Sequence, residues 1–198
     1  HGQEKIGIIT KDGIIIDGNR RAMLLNKIDN ISYFKAVVLP IKGKDDPLEI
    51  ERLETSYQMG EDEKVGYNAI EKYLKTKELI SKLLPICTED EAIKKISTWM
   101  NETESRIRDL RDTMKLMDEY LEYFDYDGMY TQLDKREGQF VDLKKWLNNF
   151  YGEKSGKAFD GYSDNDVDDL KNIAFEYIRA KYEGKSLRRL AEGLNDKH

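Results

Sequence analysis

Strand-forming sequence in this chain is confined to the span from Ile6 to Leu39, and beyond about Gly60 every apolar periodicity is helical. That shift limits the fold to the α+β class, with a small β-rich domain followed by an all-α domain. Ile6-Gly7-Ile8-Ile9-Thr10 reads as a strand, Lys11-Asp12-Gly13 as a tight hairpin turn, and Ile14-Ile15-Ile16 as a second, buried strand. Ser32 to Leu39 carries the aromatic and β-branched residues of a third. Pro40 and the polar run from Lys42 to Pro47 form a loop, and Leu48 to Tyr57 begins a helix with Ile50, Leu53 and Tyr57 on one face.

The chemistry concentrates between Gly13 and Ile28. Asp17-Gly18 breaks the second strand, Asn19, Arg20 and Arg21 follow at once, and a helical apolar face begins with Ala22, Leu25 and Ile28, widened by Met23 and Leu24. A helix start presents unpaired N–H donors and a partial positive charge, and arginine adds a planar fork matched to phosphate. Gly18 to Arg21 is therefore a candidate anion site. The same residues also describe a plain strand–turn–helix whose arginines form surface salt bridges, because short anion-site patterns recur without function.

The whole segment HGQEKIGIITKDGIIIDGNRRAMLLNKI resembles the core of the ParB/sulfiredoxin superfamily, which runs from a Gly-Gln pair through two strands to a G-x-x-R turn and a helix. The resemblance implies a ParB-like, nuclease-type domain over residues 1–60, with the family's first strand and helix upstream of His1. It also implies a nucleoside triphosphate, with Mg²⁺, at Gly18, Asn19, Arg20 and Arg21. The chain departs from the family at two places. Glu54 matches an acidic position that closes over the nucleotide, but Thr55 stands where the family has asparagine and no arginine follows. Asn19 replaces the glutamate of the common G-E-R-R turn, and a neutral amide cannot act as a base. Asp17 and Glu54 are the carboxylates left to nominate as catalytic for a nuclease or a nucleotide-dependent kinase. Sulfiredoxin chemistry needs a thiolate in the turn, whereas Cys87 lies in the linker.

Residues 61–87 read as a linker with one amphipathic helix, Ala69 to Leu84, ended by Pro85. Residues 88–198 read as helical. Thr88-Glu89-Asp90-Glu91 has the pattern of a capping box, Ile93, Ile96, Trp99 and Met100 form an inner face, and Asn101 suits a left-handed stop. Thr103 then caps a longer helix with Ile107, Leu110, Met114, Met117 and Leu121 inward. That spacing, over about 88–124, fits a helix-turn-helix, in which Thr103, Ser105, Arg106 and Arg108 would meet DNA. ParB proteins also carry a helix-turn-helix after the phosphate-binding domain. Plain packing of two capped helices is the alternative, and Glu102 and Glu104 oppose a phosphate-facing role. Further helices are expected over Gln139–Phe150 and Val167–Tyr182, separated by a Gly/Ser/Asp-rich loop, with a short basic piece at Lys185–Leu190.

Composition removes several classes. With 33 Lys and Arg against 39 Asp and Glu, the net charge is −6, so any nucleic-acid contact rests on a local patch. One cysteine rules out an internal disulfide and a multi-cysteine zinc site and fits a reducing cytoplasm, and two histidines at the chain ends offer no histidine metal cluster. No apolar run approaches the ~20 residues of a membrane span. Asp125, Asp127 and Gly128 lack the remaining ligands of a calcium loop. Three function classes follow in order: a DNA-associated regulatory or partition-type protein, an enzyme on the same fold, and an interaction module whose ancestral site is structural. DNA is the expected partner and a nucleotide the expected ligand; a homodimer stays open.

Overall fold

The computed structural model describes residues 3–27, 33–59, 69–152, 161–181 and 189. The expected linker over Gly60–Asn68, Ile28, and nearly all of the basic piece at Lys185–Leu190 lie outside them. The fold is mixed α+β and mostly helical. It comprises β1 (Gly7–Ile9), β2 (Ile15–Asp17), α1 (Asn19–Leu25), β3 (Ala36–Val38), α2 (Pro47–Met59), α3 (Ala69–Leu83), α4 (Glu89–Met100), α5 (Glu104–Tyr123), a 3-10 turn at Tyr130–Leu133, α6 (Glu137–Tyr151) and α7 (Asp164–Arg179). Two compact units result: His1–Gly66 with Asp90–Glu104, and Tyr67–Glu89 with Ser105–His198. The boundary runs through the span expected to form a helix-turn-helix, with α4 in the first unit and nearly all of α5 in the second.

In the sheet unit the strand order is β2-β1-β3, with β1 antiparallel to β2 and parallel to β3. A register shift between Ile8 and Ile9 bends the β1–β2 pair. The strands are shorter than the sequence suggests. Ile14 is excluded from β2 because its amide donates to the Thr10 hydroxyl in the hairpin turn (2.9 Å), and of the three isoleucines only Ile16 is fully buried. Before β3, the Gln3 side chain substitutes for a strand neighbour: its Oε1 accepts from Lys35 N and its Nε2 donates to Lys35 O, both at 2.6 Å. Helix α2 lies against β2 and buries Ile50, Thr55 and Met59. Pro47 opens it, where the missing N–H costs nothing, and Asp46 Oδ1 caps it by accepting from Glu49 N at 2.9 Å. The expected inner face of α1 is not buried: none of its residues is, and Met23 and Leu24 are more than half exposed.

The helical unit holds most of the large, fully buried side chains among the described residues. Along α5, Ile107, Leu110, Met114, Met117 and Leu121 are buried at helical spacing, which places the two methionines in the core as expected. Tyr120 is the hub. Its ring meets Phe124, Phe140 and Phe175 edge-on at centroid distances of 5.0, 5.2 and 5.7 Å. Its hydroxyl accepts from Arg136 Nη1 at 2.7 Å, and the same guanidinium nitrogen donates to Ile178 O at 3.1 Å, tying α5 to the ends of α6 and α7. Burial pushes the Tyr120 phenol above its ordinary pKa, so it stays a neutral partner for that arginine. Helix α7 starts at Asp164, ahead of the expected Val167, because Ser163 and Asp166 form a reciprocal capping box.

Removing one side of the Tyr120 node should be measurable. Tyr120→Phe is expected to cost about 1–2 kcal/mol by leaving a part-buried guanidinium short of an acceptor. Leu110→Ala should cost about 2–5 kcal/mol through cavity formation. Denaturant unfolding of each variant checks both values.

Candidate functional site

The turn Gly18–Arg21 is built as the sequence suggests and occupied differently. Gly18 is the residue ahead of α1, with φ +105°, a conformation that side chains other than hydrogen rarely adopt, and its carbonyl accepts the first helical bond from Ala22 N at 2.8 Å. The space beside its Cα is filled. A Cβ there would come within 2.8 Å of Phe34 Cζ and 3.2 Å of Arg21 Nη2. The same ring closes over Gly7, where a Cβ would meet Phe34 Cζ at 2.2 Å and Asp17 O at 2.9 Å. Two glycines, one on β1 and one at the turn, thus admit a single aromatic ring.

Arg21 faces back into its own unit. Its Nη2 pairs with Asp17 Oδ2 at 2.8 Å, and its Nη1 donates to the carbonyls of Lys5 and Ile6. The carboxylate nominated as a base is therefore a salt-bridge partner, and Arg21 also holds the segment that precedes β1. Arg20 and Asn19 are exposed, and Arg20 has no hydrogen bond or ion pair among the described residues. Glu54 is half-buried on α2 beside the fully buried Thr55, whose hydroxyl oxygen has no hydrogen-bond partner among the described residues. A triphosphate seated against this turn does not fit: the glycine side is covered by Phe34, and Arg20 alone of the two arginines points to solvent. Among the described residues no group of three or more His, Cys, Asp and Glu is placed to hold a metal ion.

A second cluster, not expected from the sequence, locks the hairpin to the loop after β3. Asp12 Oδ1 accepts from Thr10 Oγ1 at 2.6 Å and from Gly43 N at 2.9 Å, while Lys11 N donates to Ile41 O at 2.9 Å. Thr10 is buried. The hydrogen bond from the Thr10 hydroxyl, followed by that from the Gly43 amide, lowers the Asp12 carboxyl from 3.8 to about 2. Asp followed by Gly in a turn was the available signal, since such an aspartate bonds backbone nearby. Its long-range partner Gly43, flanked by lysines in a polar loop, carried none.

The residues expected to meet DNA fall around the start of α5. Helix α4 ends at a left-handed Asn101 (φ +52°), with Glu102 N donating to Ser97 O at 2.9 Å, so the stop is the one the sequence suggested. Thr103 and Ser105 are exposed, and Arg108 is half-buried. Arg106 hydrogen-bonds the buried Tyr73 phenol; burial raises that phenol's pKa and Arg106 opposes the rise. Arg111 is taken by Asp112 (2.7 Å) and Glu89 (2.8 Å). Among the described residues no helix is long and apolar enough to cross a membrane. No protein-family model, no curated protein and no solved structure matches this chain.

The Asp12 clasp has a testable acid dependence. With the folded pKa below the unfolded one, its contribution is complete above about 4, declines below 3.8 and is lost as pH falls through about 2. The Gly43 amide resonance is expected to titrate with a midpoint near 2, and Asp12→Asn should abolish that titration. A midpoint at the ordinary 3.8 would show that the carboxylate does not hold the loop.

Proposed function

We propose that this chain works by binding and has no catalysis of its own, with the sheet unit as the docking module for a protein partner. One observation carries the reading. Ile6, Met23, Leu24, Tyr33, Val37 and Val38, all in the first thirty-eight positions, are each more than half exposed. Single exposed apolar residues are ordinary, and it is their concentration in one small unit that supports reading it as a docking module. The state of the turn supports the same view, because Asp17, Arg21, Gly18 and Phe34 are engaged with one another and serve as a lock. Photo-crosslinking from positions 24 and 38 in extracts of the native host tests it, with position 142 on α6 as control. Discrete adducts from 24 and 38 that are missing at 142 are expected; identical patterns from all three would remove the reading. In parallel, Arg21→Ala should lower stability by about 1–2 kcal/mol. Triphosphate binding that is lost in Arg20→Ala, with stability intact, would restore the turn as a ligand site.

A second reading keeps the ParB-like, DNA-associated role, with α4 and α5 as a helix-turn-helix. The observation favouring it is the left-handed stop at Asn101, which separates two helices by a three-residue connection, Asn101–Thr103. Thr103, Ser105, Arg106 and Arg108 are its contact residues. Duplex binding measured across a salt series decides it: about 0.9 log units of affinity are lost per log unit of salt for each phosphate neutralised. Undetectable binding at low salt leaves the docking role alone.

A further inference from the structure

Among the described residues, β3 is an edge strand whose outer hydrogen-bonding groups have a fixed parity. Gly7 N donates to Lys35 O at 2.9 Å and Leu39 N donates to Ile9 O at 2.7 Å, so residues 35, 37 and 39 turn their peptide groups toward β1. In a parallel pair the alternate residues face the other way, so the N–H and C=O of Ala36 and Val38 point away from the sheet. The side chains there are open on both faces: Val37 is 54% and Val38 56% exposed, and successive residues of a strand point to opposite sides. Pro40 stands at the next outward position and has no N–H, and Lys35 is exposed at the other end. Proline and lysine are the residues that blunt an edge against indiscriminate pairing. Here they frame one short donor–acceptor set at Ala36 and Val38.

Charge selects the occupant. From Tyr33 to Lys44 the chain carries Lys35, Lys42 and Lys44 and no acidic residue. A second copy pairing along this edge would bring lysine-rich segment against lysine-rich segment. We infer that β3 receives an extended peptide segment by strand addition, with β-branched residues at its centre and carboxylates on its flanks. The segment's backbone would bond Ala36 and Val38, its central side chains would cover Val37 and Val38, and its carboxylates would meet the three lysines. This rests on the docking role proposed above and gives it a mode and a partner chemistry.

The test uses the full chain and an acetylated, amidated peptide, Glu-Glu-Val-Thr-Val-Glu-Glu, titrated by amide NMR. The Ala36 and Val38 amide signals are expected to move and to exchange more slowly with solvent. The same peptide N-methylated at both valines, or with lysine in place of glutamate, should bind at least about tenfold more weakly. Lys35→Glu/Lys42→Glu, with an unchanged melting temperature, should reverse the charge preference. Binding that ignores N-methylation or charge, amide signals that stay fixed at Ala36 and Val38, or closure of this edge by dimerisation would each overturn the proposal. Discrete crosslinks from position 24 combined with fixed β3 amides would leave docking intact and remove only the strand-addition mode.

Discussion

The ring of Phe34 is what the sheet unit is arranged around. Three strands of three residues each supply little burial, and a sheet of that size needs a side chain to close it. Phe34 does so by lying on two places where a Cβ is absent, Gly7 within β1 and Gly18 at the turn. Arg21 and Asp17 then fix the turn against the segment before β1, and Gln3 fixes the start of β3. The glycine turn is thereby a packing device. The glycine face of the turn is covered by Phe34 and Arg21 is held by Asp17, Lys5 and Ile6, while Arg20 stays exposed.

How legible the chain was depends on how local each determinant is. The α5 helix, its buried methionines and the stop at Asn101 are written in short-range periodicity and in one residue suited to a left-handed backbone. Those features could be read directly. The sheet was legible as strands but not in their extent, because Ile14 is diverted by the Thr10 hydroxyl and the chain before Ala36 is held by Gln3, thirty-two positions away from its partner Lys35. The α7 start was missed because Ser163 with Asp166 is an aspartate version of the capping box, set within a run that otherwise reads as loop.

The candidate site separates along the same line. The residue types at Gly18–Arg21 were evident, and so was the competition between ligand binding and salt bridging by the arginines. Which of the two arginines turns inward was not evident, since it depends on the carbonyls of Lys5 and Ile6 approaching from another segment. The role of Phe34 was also out of reach, because it rests on tertiary contact with two glycines far from it in the chain. At α5, the pairing of Arg106 with Tyr73 and of Arg111 with Glu89 likewise joins residues that no spacing rule connects.

The sheet unit is discontinuous in the chain: it comprises His1–Gly66 and then Asp90–Glu104. A ribosome delivers residues in order, and domains fold as their parts become available. The strands and α2 emerge well before α4, whose apolar face of Ile93, Ile96, Trp99 and Met100 is buried in the finished protein. During synthesis the sheet unit must therefore persist unfinished while the segment carrying α3 is made. A fragment ended at Gly66 would lack Asp90–Glu104 of that unit. By residue membership the first unit closes only at Glu104, and a cut between the two halves of the sequence divides both units.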